Sequence, residues 1–215
     1  MSEGKQLSTA SVRLTLLLGL AGLALLKVGA QQICDTGSCR ALPWDITVLS
    51  ALHALRSPAL DIFFAVVTWA GSLYLLLPIA IILALLDKQA THYFHRWFLP
   101  LALCATWVVV HSAKILVARP RPVLFDALIT LPVDGSYPSA HAAQITAFAC
   151  AWLLHRGCRT NAPLIGLLLI TTLNVGLSRL YLQVHYPSDV VYGMATGVLC
   201  VAALYSLRRT DQAHP

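Results

Sequence analysis

The sequence predicts an all-α membrane protein, a bundle of six transmembrane helices with a short interfacial helix in its first outer loop. Of its 215 residues, 58% are hydrophobic and only 11% are Asp, Glu, Lys or Arg. A soluble domain carries about 25% charged residues, so this composition argues against a soluble enzyme, a nucleic-acid module and a disordered chain. No repeat or low-complexity tract divides the sequence, which predicts a single domain over residues 1–215.

The six predicted helices are apolar stretches that carry charged residues only near their ends. A transmembrane helix needs roughly 20 mostly apolar residues, and the stretches that approach this length are 12–31, 66–87, 96–117, 140–156, 161–180 and 188–207. Between the first two, Ile46, Leu49 and Leu52 recur at roughly helical spacing between two proline-containing turns. This spacing predicts the short interfacial helix.

The orientation follows from the basic residues. With the N-terminus inside, the inner face holds eight Lys and Arg residues and the outer face holds seven. Four of the outer seven gather around two loops for which we infer a role in binding. When these four are set aside, eight basic residues on the inner face stand against three on the outer face, which agrees with the positive-inside rule. We therefore expect cytoplasmic termini and outward-facing loops after the third and fifth spans.

The six cysteines do not form a disulfide framework. Cys104, Cys150 and Cys200 lie in apolar runs and are expected to pack as small hydrophobic residues. Cys34 and Cys39 bracket a polar turn on the predicted outer face, where either a local disulfide or two free thiols would fit. No Cys-x-x-Cys pair appears, and nine Asp and Glu residues leave little material for a two-metal site, so no metal is expected.

Polar residues concentrate in the two loops that the topology places on the outer face. They are Lys114, Arg119, Arg121, Ser139, Ala140 and His141 in and around the first loop and Arg179, His185 and Asp189 around the second. His141 and Asp189 each begin a predicted helix, and helix N-termini present free N–H groups and a positive dipole end. Together with the Arg and Lys side chains, they predict a site for a phosphate-like anion.

Two histidines suggest that this anion site performs a reaction. Asp189 follows His185 by four residues at a predicted helix start, where its carboxylate can fix the imidazole tautomer and raise its basicity. A histidine in that setting is suited to be a nucleophile. His141 can protonate a leaving oxygen from across the phosphate, and the surrounding positive groups would stabilise the charge in transfer.

Three motifs in these loops resemble those of the type 2 phosphatidic acid phosphatase family, which shares its catalytic core with vanadium haloperoxidases and bacterial class A acid phosphatases. The first, Lys-x6-Arg-Pro, runs from Lys114 to Pro122. The second, Pro-Ser-Gly-His, is Pro-Ser-Ala-His at 138–141, and the third, Ser-Arg-x5-His-x3-Asp, occupies 178–189. They occur in the family's order and define a motif core at 114–189.

The resemblance implies a role for each matched residue. His185 would be the nucleophile that forms a phosphohistidine, Asp189 would orient it, and His141 would be the general acid. The phosphate oxygens would be held by Lys114, Arg121, Ser139, Ala140 and Arg179, with no metal and no cofactor. Ala140 replaces the family's glycine; it keeps a backbone N–H, but the turn must then hold φ negative or carry strain.

We therefore expect a lipid phosphatase of a bacterial inner membrane, with its active site on the periplasmic face and lateral entry of the lipid. The candidate substrates are undecaprenyl diphosphate, phosphatidic acid, phosphatidylglycerol phosphate and a lipid A phosphate. One alternative is a phosphotransferase that uses the same phosphohistidine. Another is a transporter or flippase for anionic lipids, against which the shortage of ionisable residues inside the spans argues. Nucleic acid is not an expected partner, and the oligomeric state is left open.

Some polar residues lie beside the motifs without belonging to them. Arg119 is expected to contact a lipid headgroup, and His111 is expected to face the same cavity without a catalytic role. His92 and His95 lie in a loop on the opposite face and are expected to be interfacial. Four aspartates are not assigned a place: Asp45, Asp61, Asp126 and Asp134.

Overall fold

The computed structural model describes residues 9–35, 38–88, 93–157 and 160–208, and most of them are helical. The helices are α1 Thr9–Ile33, α2 Pro43–Ala54, α3 Pro58–Val67, α4 Leu73–Leu86, α5 Tyr93–Val117, α6 Ala140–Arg156, α7 Ala162–Tyr181 and α8 Pro187–Arg208. A 3₁₀ turn, Thr68–Gly71, separates α3 from α4. Two short antiparallel strands, β1 Cys34–Asp35 and β2 Ser38–Cys39, follow α1.

Four of these helices are long and apolar enough to cross a membrane, namely α1, α5, α7 and α8. The pair α3–α4 makes a fifth candidate if it is counted as one span, bent by 48°. The chain is therefore a mostly helical multi-pass membrane protein. The predicted count of six stays a prediction, because α6 has 17 residues and falls short of a full span by length.

The second predicted span is interrupted, and the prediction of one helix over 66–87 was wrong. The chain is helical up to Val67, passes through the 3₁₀ turn and starts a new helix at Leu73, after Ser72 in an extended conformation. A Cβ atom at Gly71 would lie 2.5 Å from a Val175 methyl carbon and 2.9 Å from the carbonyl oxygen of His141. The break thus follows from a close tertiary contact that hydrophobicity alone does not encode.

Helix α6 forms the centre of the bundle and packs against α5, α7 and α8. Its buried face consists largely of alanines, and small side chains let membrane helices approach closely. A Cβ atom at Gly193 of α8 would lie 2.5 Å from the carbonyl oxygen of Ser139. Close packing here brings the N-terminal end of α6 beside the start of α8, which is where the motif residues lie.

The segment between α1 and α3 contains the two predicted local features. Cys34 and Cys39 form a disulfide that closes the β1–β2 hairpin, so the disulfide alternative is the one realised. Helix α2 occupies the position of the predicted short helix and begins at Pro43, with Asp45 accepting a hydrogen bond from the Leu42 N–H at 3.0 Å. Its location at a membrane interface stays a prediction.

Candidate active site

The motif residues meet at one end of the bundle, around a cavity of about 540 Å³. Six of the eight predicted site residues line it: Lys114, Arg121, Ala140, His141, Arg179 and His185. The other two, Ser139 and Asp189, are fully buried beside it. The cavity wall also includes Gly71 from the helix break, together with Trp107 and His111 of α5.

Local structure explains why residues from distant motifs meet here. Lys114 lies in the last turn of α5 and Arg179 in the last turn of α7. Ser139 is the N-cap of α6, and Asp189 lies in the first turn of α8. Two helix C-termini and two helix N-termini therefore surround one space, and the N-terminus of α6 adds its positive dipole end to it.

Ala140 fits its position without backbone strain. It is the first residue of α6, where φ is negative. Among the described residues other than glycine, only Ala118 and Gln183 have positive φ. The replacement of the family's glycine therefore leaves the turn in an ordinary conformation.

His185 is buried in the short loop between α7 and α8, with 2% of its surface exposed. Its Nδ1 atom lies 3.5 Å from the Asp189 Oδ2 atom, and its Nε2 atom lies 3.4 Å from the Arg121 Nη1 atom. The contact with Asp189 is close but lacks the geometry of a hydrogen bond. Burial, followed by the positive charges of Lys114, Arg179 and Arg121, holds the pKa of His185 well below its ordinary value, so the ring is neutral.

Three cationic side chains face the cavity, each held by the protein. Arg121 donates to the Val184 carbonyl oxygen at 2.8 Å, and Lys114 donates to the Gly135 carbonyl oxygen. Arg179 donates to the Thr68 hydroxyl at 2.6 Å, so the 3₁₀ turn that interrupts the second span also positions this guanidinium. A set of fixed cations suits an anionic ligand and disfavours a metal ion at the same place.

Asp134 is a site residue that the sequence reasoning missed. Its carboxylate lies 3.1 Å from the Lys114 Nζ atom and 2.6 Å from the Arg121 Nη2 atom, and 38% of the side chain is exposed. Partial burial raises its pKa, but Lys114 and Arg121 lower it more, so the pKa lies below its ordinary value and Asp134 is ionised. No motif includes this residue. It lies in a 22-residue connection between α5 and α6, where no sequence pattern predicts its contacts with Lys114 and Arg121.

The prediction that Arg119 contacts a lipid headgroup was wrong. Only 1% of Arg119 is exposed, and its guanidinium lies 2.5 Å from Asp189 and 3.1 Å from Asp45. It also donates to the Arg40 carbonyl oxygen and lies 3.9 Å from the centre of the Tyr186 ring. Arg119 and Arg121 are two residues apart in a non-helical segment, yet one is buried behind His185 and the other faces the cavity.

Asp45 belongs to the same buried group and was not assigned a place from the sequence. It accepts hydrogen bonds from the Ser188 N–H and the Ser188 hydroxyl, both at 2.8 Å. It thereby fixes the start of α2 to the start of α8. The partners are 143 residues apart, so no local pattern reveals the contact.

His111 lines the cavity as expected, with its Nδ1 atom 3.0 Å from the Trp107 carbonyl oxygen.

Ser139 has a buried hydroxyl that makes no hydrogen bond within the described part of the chain. Its backbone N–H donates to the Asp189 carbonyl oxygen at 3.0 Å, which joins the second and third motifs directly.

Comparison with known proteins places these motifs in a family. The family model described as the PAP2 superfamily matches residues 96–213. The chain is 40% identical over 96 residues to decaprenylphosphoryl-5-phosphoribose phosphatase of Mycobacterium tuberculosis, covering 44% of this chain and 50% of that protein. It is 34% identical over 71 residues to the putative undecaprenyl-diphosphatase YbjG of Escherichia coli, covering 33% and 34%. The matches thus span about half the length of these relatives or less.

Solved structures support the same fold. A transmembrane PAP2-type phosphatidylglycerolphosphate phosphatase from Bacillus subtilis has a TM-score of 0.72 at 20% identity, with 94% of this chain and 98% of that chain covered. LpxE from Aquifex aeolicus has a TM-score of 0.65 at 26% identity, with 78% and 96% covered. The likeness extends beyond the motif core to most of the helical bundle.

Proposed function

Because the chain belongs to the PAP2 superfamily, we propose that it is a membrane phosphatase that removes a phosphate from a lipid through a phosphohistidine. The observation that carries this proposal is the setting of His185. Its ring is neutral and buried, with Asp189 beside Nδ1 and the cationic cavity beside Nε2. A neutral Nε2 with a lone pair toward a bound phosphate is the arrangement that nucleophilic attack requires.

We propose six membrane spans, formed by α1, the broken pair α3–α4, α5, α6, α7 and α8. The 17 residues of α6 extend over roughly 26 Å, close to the hydrocarbon thickness of about 30 Å. This topology keeps both termini cytoplasmic and puts the cavity on the periplasmic face of a bacterial inner membrane. The Cys34–Cys39 disulfide supports that orientation, because disulfides persist in oxidising compartments.

In the first step, the His185 Nε2 atom attacks phosphorus and the bond between phosphorus and the lipid oxygen breaks. His141, on the cavity wall at the N-terminus of α6, starts this step as an imidazolium, gives its proton to the departing oxygen and becomes neutral. Lys114, Arg121 and Arg179 hold the non-bridging phosphate oxygens, assisted by backbone N–H groups at the start of α6. Fixed charges of this kind stabilise the transition state without reorganising.

In the second step, water attacks the phosphohistidine and the bond between phosphorus and Nε2 breaks. His141 takes a proton from that water, inorganic phosphate leaves, and His185 returns to its neutral form. The general acid of the first step thus serves as the general base of the second.

Arg119 acts in this scheme as a positioning residue. Its 2.5 Å contact holds Asp189 in place, and its positive charge favours the ionised form of a carboxylate that burial alone would disfavour. Asp45 and Ser188 hold Arg119 and the start of α8 in turn. The orientation of His185 therefore depends on Arg119, Asp45 and Ser188, which are buried and do not contact the substrate.

The substrate is a lipid phosphate that enters from the side. The cavity is lined by Tyr74 at the start of α4 and by Trp107 of α5, and both rings are exposed toward the surroundings of the bundle. An apolar chain can stay in the bilayer there while its phosphate reaches Lys114. We favour a polyprenyl phosphate or diphosphate, because two matched relatives carry polyprenyl substrates in their names.

The direct test is phosphate release in detergent with EDTA present, from polyprenyl diphosphate, phosphatidic acid and a lipid A phosphate. We expect turnover of at least one substrate, loss of activity in His185→Ala, and retained activity in His111→Ala, a matched histidine on the same cavity wall. Rapid quenching with labelled substrate should trap an acid-labile, alkali-stable phosphoprotein. Wild type as inert as His185→Ala on all three substrates would contradict hydrolysis, and turnover only with an added acceptor lipid would favour phosphoryl transfer.

A further inference from the structure

A second group of ionisable side chains lies at the end of the bundle opposite the phosphate cavity. Asp87 follows the last residue of α4, His95 lies in the first turn of α5, and His155 lies in the last turn of α6. His95 precedes Lys114 on the same helix by 19 residues, which separates this group from the phosphate site by roughly 28 Å. The proposed reaction uses none of the three.

The three side chains converge closely enough to share one ligand. One donor atom from each residue lies within 4.8 Å of the other two. The His155 Nε2 atom is 3.1 Å from the Asp87 Oδ2 atom, and the His95 and His155 ring centroids are 4.7 Å apart. All three residues are half-buried, so water can reach the group while neighbouring helices restrict it.

We propose that Asp87, His95 and His155 bind a divalent transition-metal ion, and that Zn²⁺ fits them best. Two imidazole nitrogens and one carboxylate oxygen are a common protein ligand set for zinc, with water in the fourth position. Bonds of about 2.0 Å in a tetrahedron put ligands about 3.3 Å apart. The 3.1 Å between the His155 Nε2 atom and the Asp87 Oδ2 atom matches that separation. The His95 donor atom lies within 4.8 Å of both, so it has to approach by at most about 1.5 Å to complete the set.

An ion at this place would join three helix ends on the inner side of the bundle. It would hold the C-terminal ends of α4 and α6 against the N-terminal end of α5, and binding to the folded state alone raises its stability. The proposed site differs from the expectation that the chain binds no metal. That expectation rested on local spacing, whereas these donors are 8 and 60 residues apart in sequence.

His95 distinguishes a metal site from a simple ion pair. An ion pair between His155 and Asp87 needs no third partner, whereas a tridentate zinc site loses affinity with any one of its ligands. The matched control is His53→Ala, because His53 stacks on Phe125 and lies far from the group in the sequence. Full-length untagged protein is required, since an added histidine tag would bind the same ion.

The experiment is zinc titration by calorimetry of EDTA-treated, desalted protein in detergent, with thermal unfolding followed in parallel. We expect one Zn²⁺ per chain and a rise in Tm for wild type and His53→Ala. Binding should weaken at least tenfold, and the Tm shift should vanish, in both His95→Ala and His155→Gln. Circular dichroism confirms that the variants are folded. Absence of stoichiometric binding in wild type, or equal binding in His95→Ala, would overturn the proposal and would leave the phosphatase proposal untouched.

Discussion

Arg119 and Arg121 lie on opposite sides of His185 and serve it differently. We call Arg119, Asp45, Ser188 and Asp189 the rear network and Lys114, Arg121, Arg179 and Asp134 the front cluster. In the rear network, Arg119 is 1% exposed and meets two fully buried carboxylates. In the front cluster, Arg121 meets backbone carbonyls and one half-exposed carboxylate. Behind the histidine, one arginine faces two carboxylates. In front of it, three cations share one carboxylate, so positive charge remains for a ligand.

The largest effect should come from removing a cation of the front cluster. Arg121→Ala should lower kcat/KM by about 10³-fold, because one fixed partner of the transition-state charge is lost. Tm should fall less than in Arg119→Ala, since the loss of Arg121 leaves one half-exposed carboxylate, and no fully buried one, without this partner. Steady-state phosphate release and thermal unfolding of the same preparation test both halves of this prediction. A large fall in Tm would show that Arg121 stabilises the fold, as Arg119 does, and would contradict the comparison.

Removing the rear arginine should damage stability as well as rate. Arg119→Ala leaves Asp45 and Asp189 buried without a counter-ion, a loss of about 3–5 kcal/mol that should lower Tm by roughly 10 °C. Arg119→Lys keeps the charge but not the fork geometry, so it should recover part of the stability. In Arg119→Lys, kcat should fall while KM stays near the wild-type value, because the substrate does not touch this side chain. An unchanged kcat would reject the positioning role.

The pH dependence of kcat/KM should distinguish the loss of a front-cluster cation from the loss of a cation elsewhere on the protein. Burial and positive neighbours lower the pKa of His185, so in wild type the proposed nucleophile stays neutral into the acid range. Arg121→Ala removes one positive neighbour, which raises that pKa toward its ordinary value and protonates His185 at higher pH. The ratio of variant to wild-type kcat/KM should therefore fall as pH decreases from 7.5 to 5.5. Arg56→Ala, a cation paired with Asp61 away from the cavity, should give a constant ratio.

A smaller effect is expected at Asp134. Its carboxylate contacts the two cations that would bind phosphate, so the ligand must compete with it. Asp134→Asn should lower the inhibition constant of inorganic phosphate several-fold at neutral pH, where Asp134 is ionised. A higher inhibition constant would mean that Asp134 holds Lys114 and Arg121 in position for the ligand.

The smallest effect should follow the return of the family's glycine. Ala140→Gly changes a residue that is already helical, so it should cost under about 1 kcal/mol of stability. Phosphate release should stay within about twofold of wild type. A rise of tenfold or more would show that alanine constrains the oxyanion turn in a way that φ does not reveal.

Much of the fold could be predicted because apolar length and charge position are local properties. The helices α1, α5, α6, α7 and α8 begin and end within three residues of predicted spans. The break at Gly71 could not be predicted, since it depends on contact with Val175 and His141. Hydrophobicity shows that a segment is apolar, whereas its bend is set by what packs against it.

The site divides in the same way. Three motifs place six predicted residues around one cavity, because the ends of neighbouring helices meet at one end of the bundle. The motif spacing selects Arg121 as a site residue, but no local pattern predicts that Arg119, which also precedes a proline, is buried. What separates them is the position of Asp45 and Asp189, which are 74 and 70 residues from Arg119. Asp134 was missed for a related reason, because the sequence around a loop carboxylate does not show which cation it contacts.

The close approach of α8 to the N-terminus of α6 bears on how such a protein evolves. At Gly193 the two segments touch through backbone atoms, with 2.5 Å between a notional Cβ and the Ser139 carbonyl oxygen. The spacing between the second and third motifs is therefore set by main chain, which mutation of the outer side chains does not alter. Residues facing the lipid can drift to suit another bilayer thickness or another hydrocarbon tail while the reacting groups keep their separation. Divergent sequences can in this way inherit one reaction and acquire different lipids.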